Sequence, residues 1–148
     1  MSGTVAIAAD HGGFDLKTDL VAILQTLGAT VLDLGTTSRE AVDYPDIADA
    51  LAAALMAERA QRGVLICGTG IGISIAANRY LAIRAALCHD GLTARLARQH
   101  NDANVLVLGG RVIGLETAKD CLTIFLNTPF EGGRHARRVA KLGRAVPP

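Results

Sequence analysis

Short apolar runs alternate with longer helical patterns along most of this chain. Five β-branched, nearly unbroken runs predict strands: Val5 to Ala9, Thr30 to Leu34, Val64 to Cys67, Ile83 to Cys88 and Val105 to Leu108. Helical periodicity predicts helices over Leu16 to Leu27, Asp46 to Gln61, Ile73 to Asn78, Leu92 to Gln99 and Leu115 to Leu126. Gly28 is placed to stop the first helix, and Pro45 to open the second. A strand that is apolar throughout needs both faces covered, as in a parallel sheet flanked by helices. The pattern therefore predicts an α/β fold: a single doubly wound, Rossmann-like domain over residues 1–148 with a five-stranded parallel sheet. Arg134 to Leu142 adds a basic C-terminal helix before a frayed Pro147-Pro148 end, and no repeat or linker interrupts the chain. The helix from Asp46 to Met56 is apolar around most of its circumference (Ile47, Ala48, Ala50, Leu51, Ala52, Leu55), which points to a subunit interface beyond the sheet.

Composition narrows the partners. Half of the 148 residues are hydrophobic but only 3 % are aromatic, so the core must be built from Ala, Val, Ile and Leu. A formal net charge of +1 supplies no field to recruit nucleic acid or an anionic membrane. No apolar run approaches the roughly 20 residues needed to span a bilayer, and the opening residues do not read as a signal peptide. Cys67, Cys88 and Cys121 are odd in number and without a CxxC pair, the pattern of reduced thiols in a cytoplasm.

In open α/β sheets ligands sit beyond the carboxyl ends of the strands. The predicted strands are followed by Asp10-His11-Gly12-Gly13, by Cys67-Gly68-Thr69-Gly70-Ile71-Gly72-Ile73-Ser74, by His89-Asp90 and by Gly109-Gly110-Arg111, which predicts one shared pocket. Three alternate glycines leave backbone N–H groups bare for an anion or oxyanion, and the helix after them adds unpaired donors. A cysteine at the lip of such a loop is placed to be an exposed thiolate. The same cysteine also reads as a small packing residue closing a strand, as Cys88 and Cys121 do within their periodic segments.

Other readings stand beside these. The glycine loop partly matches a dinucleotide fingerprint, with Asp90 about 20 residues on, but its spacing is GxGxG and it follows the third strand. Asp10-His11 reads as a plain Asx turn or as a functional pair, and His100 as a functional group or as a histidine favouring a helix C-terminus. The histidines His11, His89, His100 and His135 show no i,i+4 or HxH spacing, so no metal site is predicted. Arg134, Arg137 and Arg138 share a helical face after Gly132-Gly133, either as a solvated surface or as a clamp for one phosphate. That face is too narrow a footprint for nucleic acid.

As a set these motifs resemble a known family. Asp10-His11-Gly12-Gly13 with Leu16-Lys17, Asp43-Tyr44-Pro45, Cys67 to Asn78, Arg98-Gln99-His100-Asn101-Asp102 and Glu131-Gly132-Gly133-Arg134-His135 are similar to the ribose-5-phosphate isomerase B family, which includes galactose-6-phosphate isomerase subunits. The resemblance runs from about Val5 to Val139. It implies metal-free, cofactor-free interconversion of an aldose phosphate and its ketose through an enediolate, with ribose 5-phosphate the favoured substrate. A tetrose or hexose 6-phosphate is the alternative, and a sugar-phosphate-binding regulatory module the reading of a different class. By resemblance, Cys67 is the base between C1 and C2, and Gly68, Thr69, Gly70, Ile71 and Gly72 form the loop that holds the oxyanion, with Thr69 also in the catalytic set. His100 is the acid/base of ring opening and Asn101 a sugar contact. Asp10 and His11 contact substrate, while Arg111, Arg134 and Arg138 bind it chiefly through phosphate. The resemblance also implies homodimers, or dimers of dimers, with each pocket lined by both subunits. One subgroup lacks the cysteine and uses a glutamate just after the loop. That position is Ile73 here, leaving Cys67 the only base in the loop. Arg137 and the tail after Leu142 receive no role.

Overall fold

In the computed structural model, which describes residues 3–148, strand and helix alternate through β1 (Thr4–Ala9), α1 (Phe14–Thr26), β2 (Thr30–Asp33), α2 (Tyr44–Met56), β3 (Arg62–Cys67), α3 (Ile71–Ala77), β4 (Ala85–Leu87), α4 (Gly91–Asn101), β5 (Val105–Gly109) and α5 (Leu115–Asn127), and a last helix, α6 (Arg134–Leu142), follows. The strands form one parallel sheet in the order β2-β1-β3-β5-β4. The chain reverses its winding between β1 and β3, the switch point where such sheets open a crevice at their carboxyl edge.

Alternation along the strands divides the core into two layers. Val5, Ile7, Ala9, Val64, Ile66, Leu106 and Leu108 face α1, α4 and α5, whose Leu20, Leu24, Ala94, Cys121, Leu122 and Phe125 cover them. Ala6, Ala8, Leu65, Cys67, Val105 and Val107 face α2 and α3 through Leu51, Ala52, Ile73 and Ala77. Small residues on that second face let α2 and α3 lie close to the sheet. Phe125 is the one fully buried aromatic among the described residues, so the aliphatic core expected from composition is what forms. Each fully buried Leu or Ile adds about 2 kcal/mol of transfer free energy.

Among the element boundaries that differ from those expected, four have a clear local cause. The second helix ends at Met56, not Gln61, because Glu58 takes φ 57° and the Arg59 N–H closes back on the Ala54 carbonyl at 2.9 Å. The chain thereby turns early enough for Gln61 N–H to reach Thr4 O at 3.1 Å and enter β3. The third helix begins at Ile71, not Ile73, since Gly70 at φ 78° caps it directly and places Gly72 inside the first turn. The fourth strand shortens to Ala85–Leu87, as Ile83 closes a turn onto Tyr80. Finally, α4 runs through His100 and Asn101 to Asp102, whose φ of 43° ends it.

Candidate active site

The carboxyl edge of β1, β3 and β5 is a junction of bare backbone. Gly110 N–H donates to the Cys67 carbonyl at 2.8 Å, and Arg111 N–H to the Gly68 carbonyl at 2.9 Å. A Cβ on Gly110 would lie 2.6 Å from the Gly12 carbonyl oxygen, and one on Gly12 would lie 2.9 Å from the Gly68 nitrogen. Three strand ends can meet this closely only without side chains, which explains the glycines in all three motifs.

Cys67 ends β3 with its side chain on the α2/α3 face, and Gly70 N–H points at its Sγ from 3.1 Å. That contact fixes the sulfur beside the loop's backbone donors. Ile71 N–H is occupied by Thr69 Oγ1 at 3.2 Å, whereas the N–H groups of Gly68 and Thr69 meet no acceptor among the described residues. Those two donors are the ones free to receive developing negative charge. The Arg111 side chain lies over Gly68, 3.4 Å from where a Cβ would stand. Asp10, 6 % exposed, accepts Gly12 N–H at 2.9 Å, and His11 Nδ1 accepts Val42 N–H at 3.2 Å, so a neutral His11 carries its proton on Nε2. Asp10, His11, the Cys67 loop and Arg111 therefore form one cluster.

The expectation of an exposed thiol is corrected: Cys67 is 5 % exposed, because its side chain packs into the core layer between the sheet and α2 and α3. The Asp90 reading is corrected too. Its carboxylate caps α4 by accepting Thr93 N–H at 2.7 Å, which lowers its pKa and leaves no ribose-binding role. Tyr44, which had no expected role, stands over the first turn of α3, and a Cβ on Gly72 would lie 2.6 Å from its Cζ.

The remaining expected residues lie elsewhere. Gly63 N–H bonds the Asn104 carbonyl, and the Asn104 side chain bonds Arg84 N–H and the Ala82 carbonyl, which fixes the end of α4 at the amino edge of β3, β4 and β5. His100 and Asn101 sit there, and Glu131 N–H on the Gln99 carbonyl (3.1 Å) ties the segment before α6, with Arg134 and Arg138, to the same edge. The length of β3, about 16 Å at 3.3 Å per residue, separates this second cluster from Cys67. The residues expected at the site thus fall into two clusters within one chain, one at the carboxyl edge around Cys67 and one at the amino edge around His100. A cavity of ≈ 400 Å³ opens beside the second one, lined by Asn78, Ile83, Arg84, Asn101 and Leu142 among others.

Within the second cluster the structure adds two residues that spacing between histidines alone did not reveal. The His100 and His135 rings stack at 4.2 Å between centroids and 13° between planes, and Glu131 Oε2 is 3.5 Å from His135 Nε2. Glu131, at i−4 from His135, was the available signal. Ligand atoms of the three lie within 4.8 Å of one another, but parallel rings aim their lone pairs side by side, and Arg134 and Arg138 add positive charge. That is a stack, not a chelate.

Two predictions arise here. Burial, then His100 and Arg134, and more weakly Arg138, lower the His135 pKa, with Glu131 opposing. The folded protein then binds fewer protons than the unfolded chain just below the ordinary histidine value of about 6.5, so stability falls as pH drops through that window. Tm followed from pH 7.5 to 5 is expected to decline, and His135→Phe to flatten the decline. The second concerns thiols: desolvation pushes Cys88 and Cys121 up to about 11. Peptide mapping after brief alkylation at pH 8 is expected to find label on Cys67 and almost none on the other two.

A doubly wound α/β chain with a thiol among bare donors at its switch point, and with the sequence motifs that surround it, defines an isomerase. The chain belongs to the ribose/galactose isomerase family, whose sequence model matches residues 5–142. It is 50 % identical over 135 residues to ribose-5-phosphate isomerase B of Escherichia coli, covering 91 % of each chain. It is 46 % identical over 141 residues to the D-erythrulose-4-phosphate isomerase of Pectobacterium atrosepticum, covering 95 % of this chain and 93 % of that one. The crystal structure of a ribose 5-phosphate isomerase from Thermotoga maritima superposes with a TM-score of 0.94 at 52 % identity, over 95 % of this chain and 97 % of the other.

Proposed function

We propose that this chain interconverts D-ribose 5-phosphate and D-ribulose 5-phosphate, using its own side chains and backbone with no metal or other cofactor in the steps. The observation that carries the reading is the Cys67 thiol with Gly70 N–H 3.1 Å away and free N–H groups beside it, in a chain of this family. As thiolate, Cys67 takes the C2 proton. The electron pair forms the C1–C2 double bond, and O1 gathers negative charge against the Gly68 and Thr69 N–H groups. Return of the proton to C1, with the O2 hydroxyl proton passing to O1, yields the ketose. His100 opens the furanose by taking the anomeric proton and giving one to the ring oxygen. Arg134 and Arg138 hold the phosphate, and that remote binding energy fixes C1 and C2 against the sulfur.

The two half-sites act together only if a second copy brings its amino edge to the first copy's carboxyl edge, since about 16 Å of strand divides them within one chain. A two-fold pairing satisfies both sites at once. Tyr44, Ile71 and Ile75, on α2 and α3 beside the thiol, are 41 %, 53 % and 66 % exposed, an apolar surface suited to that contact. A homodimer in the cytoplasm, working in the non-oxidative pentose phosphate route, is the setting this reading implies. Among the described residues, no helix is long and apolar enough to cross a membrane.

The relative acting on a four-carbon sugar phosphate keeps one rival substrate class in view. Ketose formation should be compared for ribose 5-phosphate, erythrose 4-phosphate and allose 6-phosphate. The expected result is the highest kcat/KM with ribose 5-phosphate. A higher value for another sugar would move the substrate and keep the chemistry. No turnover of any would make the chain a binding module.

A further inference from the structure

We infer that His135 is a positioning residue that holds the His100 imidazole, by stacking rather than by hydrogen bonding, in the orientation that opening of the sugar ring requires. The inference rests on the reading of His100 as the ring-opening group.

His100 lies on the last turn of α4, partly exposed, and no side-chain hydrogen bond reaches it among the described residues. An imidazole so placed would sample several rotamers. What restrains it is a flat neighbour: the His135 ring is 4.2 Å away and within 13° of parallel. His135 is itself immobilised. It is 5 % exposed, in the first turn of α6, with its N–H on the Gly132 carbonyl at 3.0 Å. The Glu131 N–H on the Gln99 carbonyl clamps this segment to α4 one residue before His100.

The chemistry of His135 fits a plate better than a proton carrier. Its Nε2 is buried with no hydrogen-bond partner, and Glu131 at 3.5 Å is too far to supply one. Its surroundings, burial first and then the charges of His100 and Arg134, disfavour protonation of His135, which suits a flat packing partner. Ring opening needs one nitrogen within reach of both the anomeric hydroxyl and the ring oxygen. A misplacement of about 1 Å can cost up to about a hundredfold there.

Substrate chemistry isolates this step. Ribose 5-phosphate closes through its free 4-hydroxyl, so consuming it requires ring opening. Ribulose 5-phosphate has its 5-hydroxyl esterified, cannot form the five-membered ring, and enters open. Initial rates at saturating substrate, where the two directions are not tied by the equilibrium constant, should be measured in both directions for wild type, His135→Leu, His135→Phe and His100→Ala. Leucine fills the space without a flat ring, and phenylalanine keeps the ring while losing only nitrogens, one of which, Nε2, has no hydrogen-bond partner. His100→Ala and His135→Leu are expected to slow the aldose direction about tenfold or more and the ketose direction less than about threefold, since the stack acts on orientation alone. His135→Phe is expected to return the ratio of the two directions to that of wild type. Selective loss with His100→Ala but an equal effect on both directions, or none, with His135→Leu would overturn the inference alone. Phenylalanine behaving like leucine would do the same. A His100→Ala enzyme without directional bias would overturn the reading of His100 and the inference with it.

Discussion

Cys67→Ala is expected to lower kcat for ribose 5-phosphate by about a thousandfold, in the range for removal of a positioned general base, while the protein stays folded. No other group in the loop can accept the proton: Ile73 is aliphatic, and the Thr69 hydroxyl accepts Ile71 N–H. The deleted sulfur leaves a small void on the α2/α3 face, so a loss of about 1 kcal/mol in stability accompanies the change. Cys67→Ser nearly keeps the volume but replaces the thiol by a hydroxyl, a far weaker acid, and is expected to be nearly as inactive. Steady-state assays of ketose formation, with Tm recorded on the same samples, check both. If the alanine variant kept most of its activity, the base would have to be sought at Asp10, the buried carboxyl group at this edge.

Mixing two inactive variants is expected to restore activity. Cys67→Ala spoils the carboxyl-edge half-site, and His100→Ala the amino-edge half-site, some 16 Å away along β3. In a two-fold dimer each site takes one half from each copy. A heterodimer of the two variants therefore holds one site with both lesions and one site with neither. Random reassociation makes half the dimers heterodimers, so the mixture is expected to recover about a quarter of wild-type activity, and each variant alone only its residual rate. The aldose-direction assay after co-refolding, with subunit exchange followed by differently tagged chains, gives the readout. A mixture no more active than the mean of its components would show that each chain completes its own site. It would also force the second cluster into a different role.

The Cys67 loop was legible in the sequence because its geometry depends on backbone. Glycines at 68, 70 and 72 stand out wherever the chain folds, and the strand before them places them at the carboxyl edge. Even so, Gly72 belongs to α3 and not to the loop, since the left-handed turn at Gly70 starts the helix two residues early. Asp90 shows the opposite failure. An acid at a suggestive distance from a glycine loop proved to be a helix cap, a role that depends on Thr93 three residues on. The His100–His135 stack was not legible, because the two rings come from helices 35 positions apart in the chain and only the packing of α6 beside α4 brings them together.

The sequence by itself determined the architecture and the chemistry available. Apolar runs buried on both faces demand a covered parallel sheet, and alternate glycines beside a cysteine demand a close-packed loop of donors, whatever surrounds them. The tertiary structure alone decided how those groups are shared out. The direction of α4 carries His100 and Asn101 back to the amino edge, and the sheet's length keeps them from Cys67. Local residue patterns encode conformation over a few positions. Which end of a sheet a distant side chain reaches depends on connection and packing, and no short stretch of sequence records it.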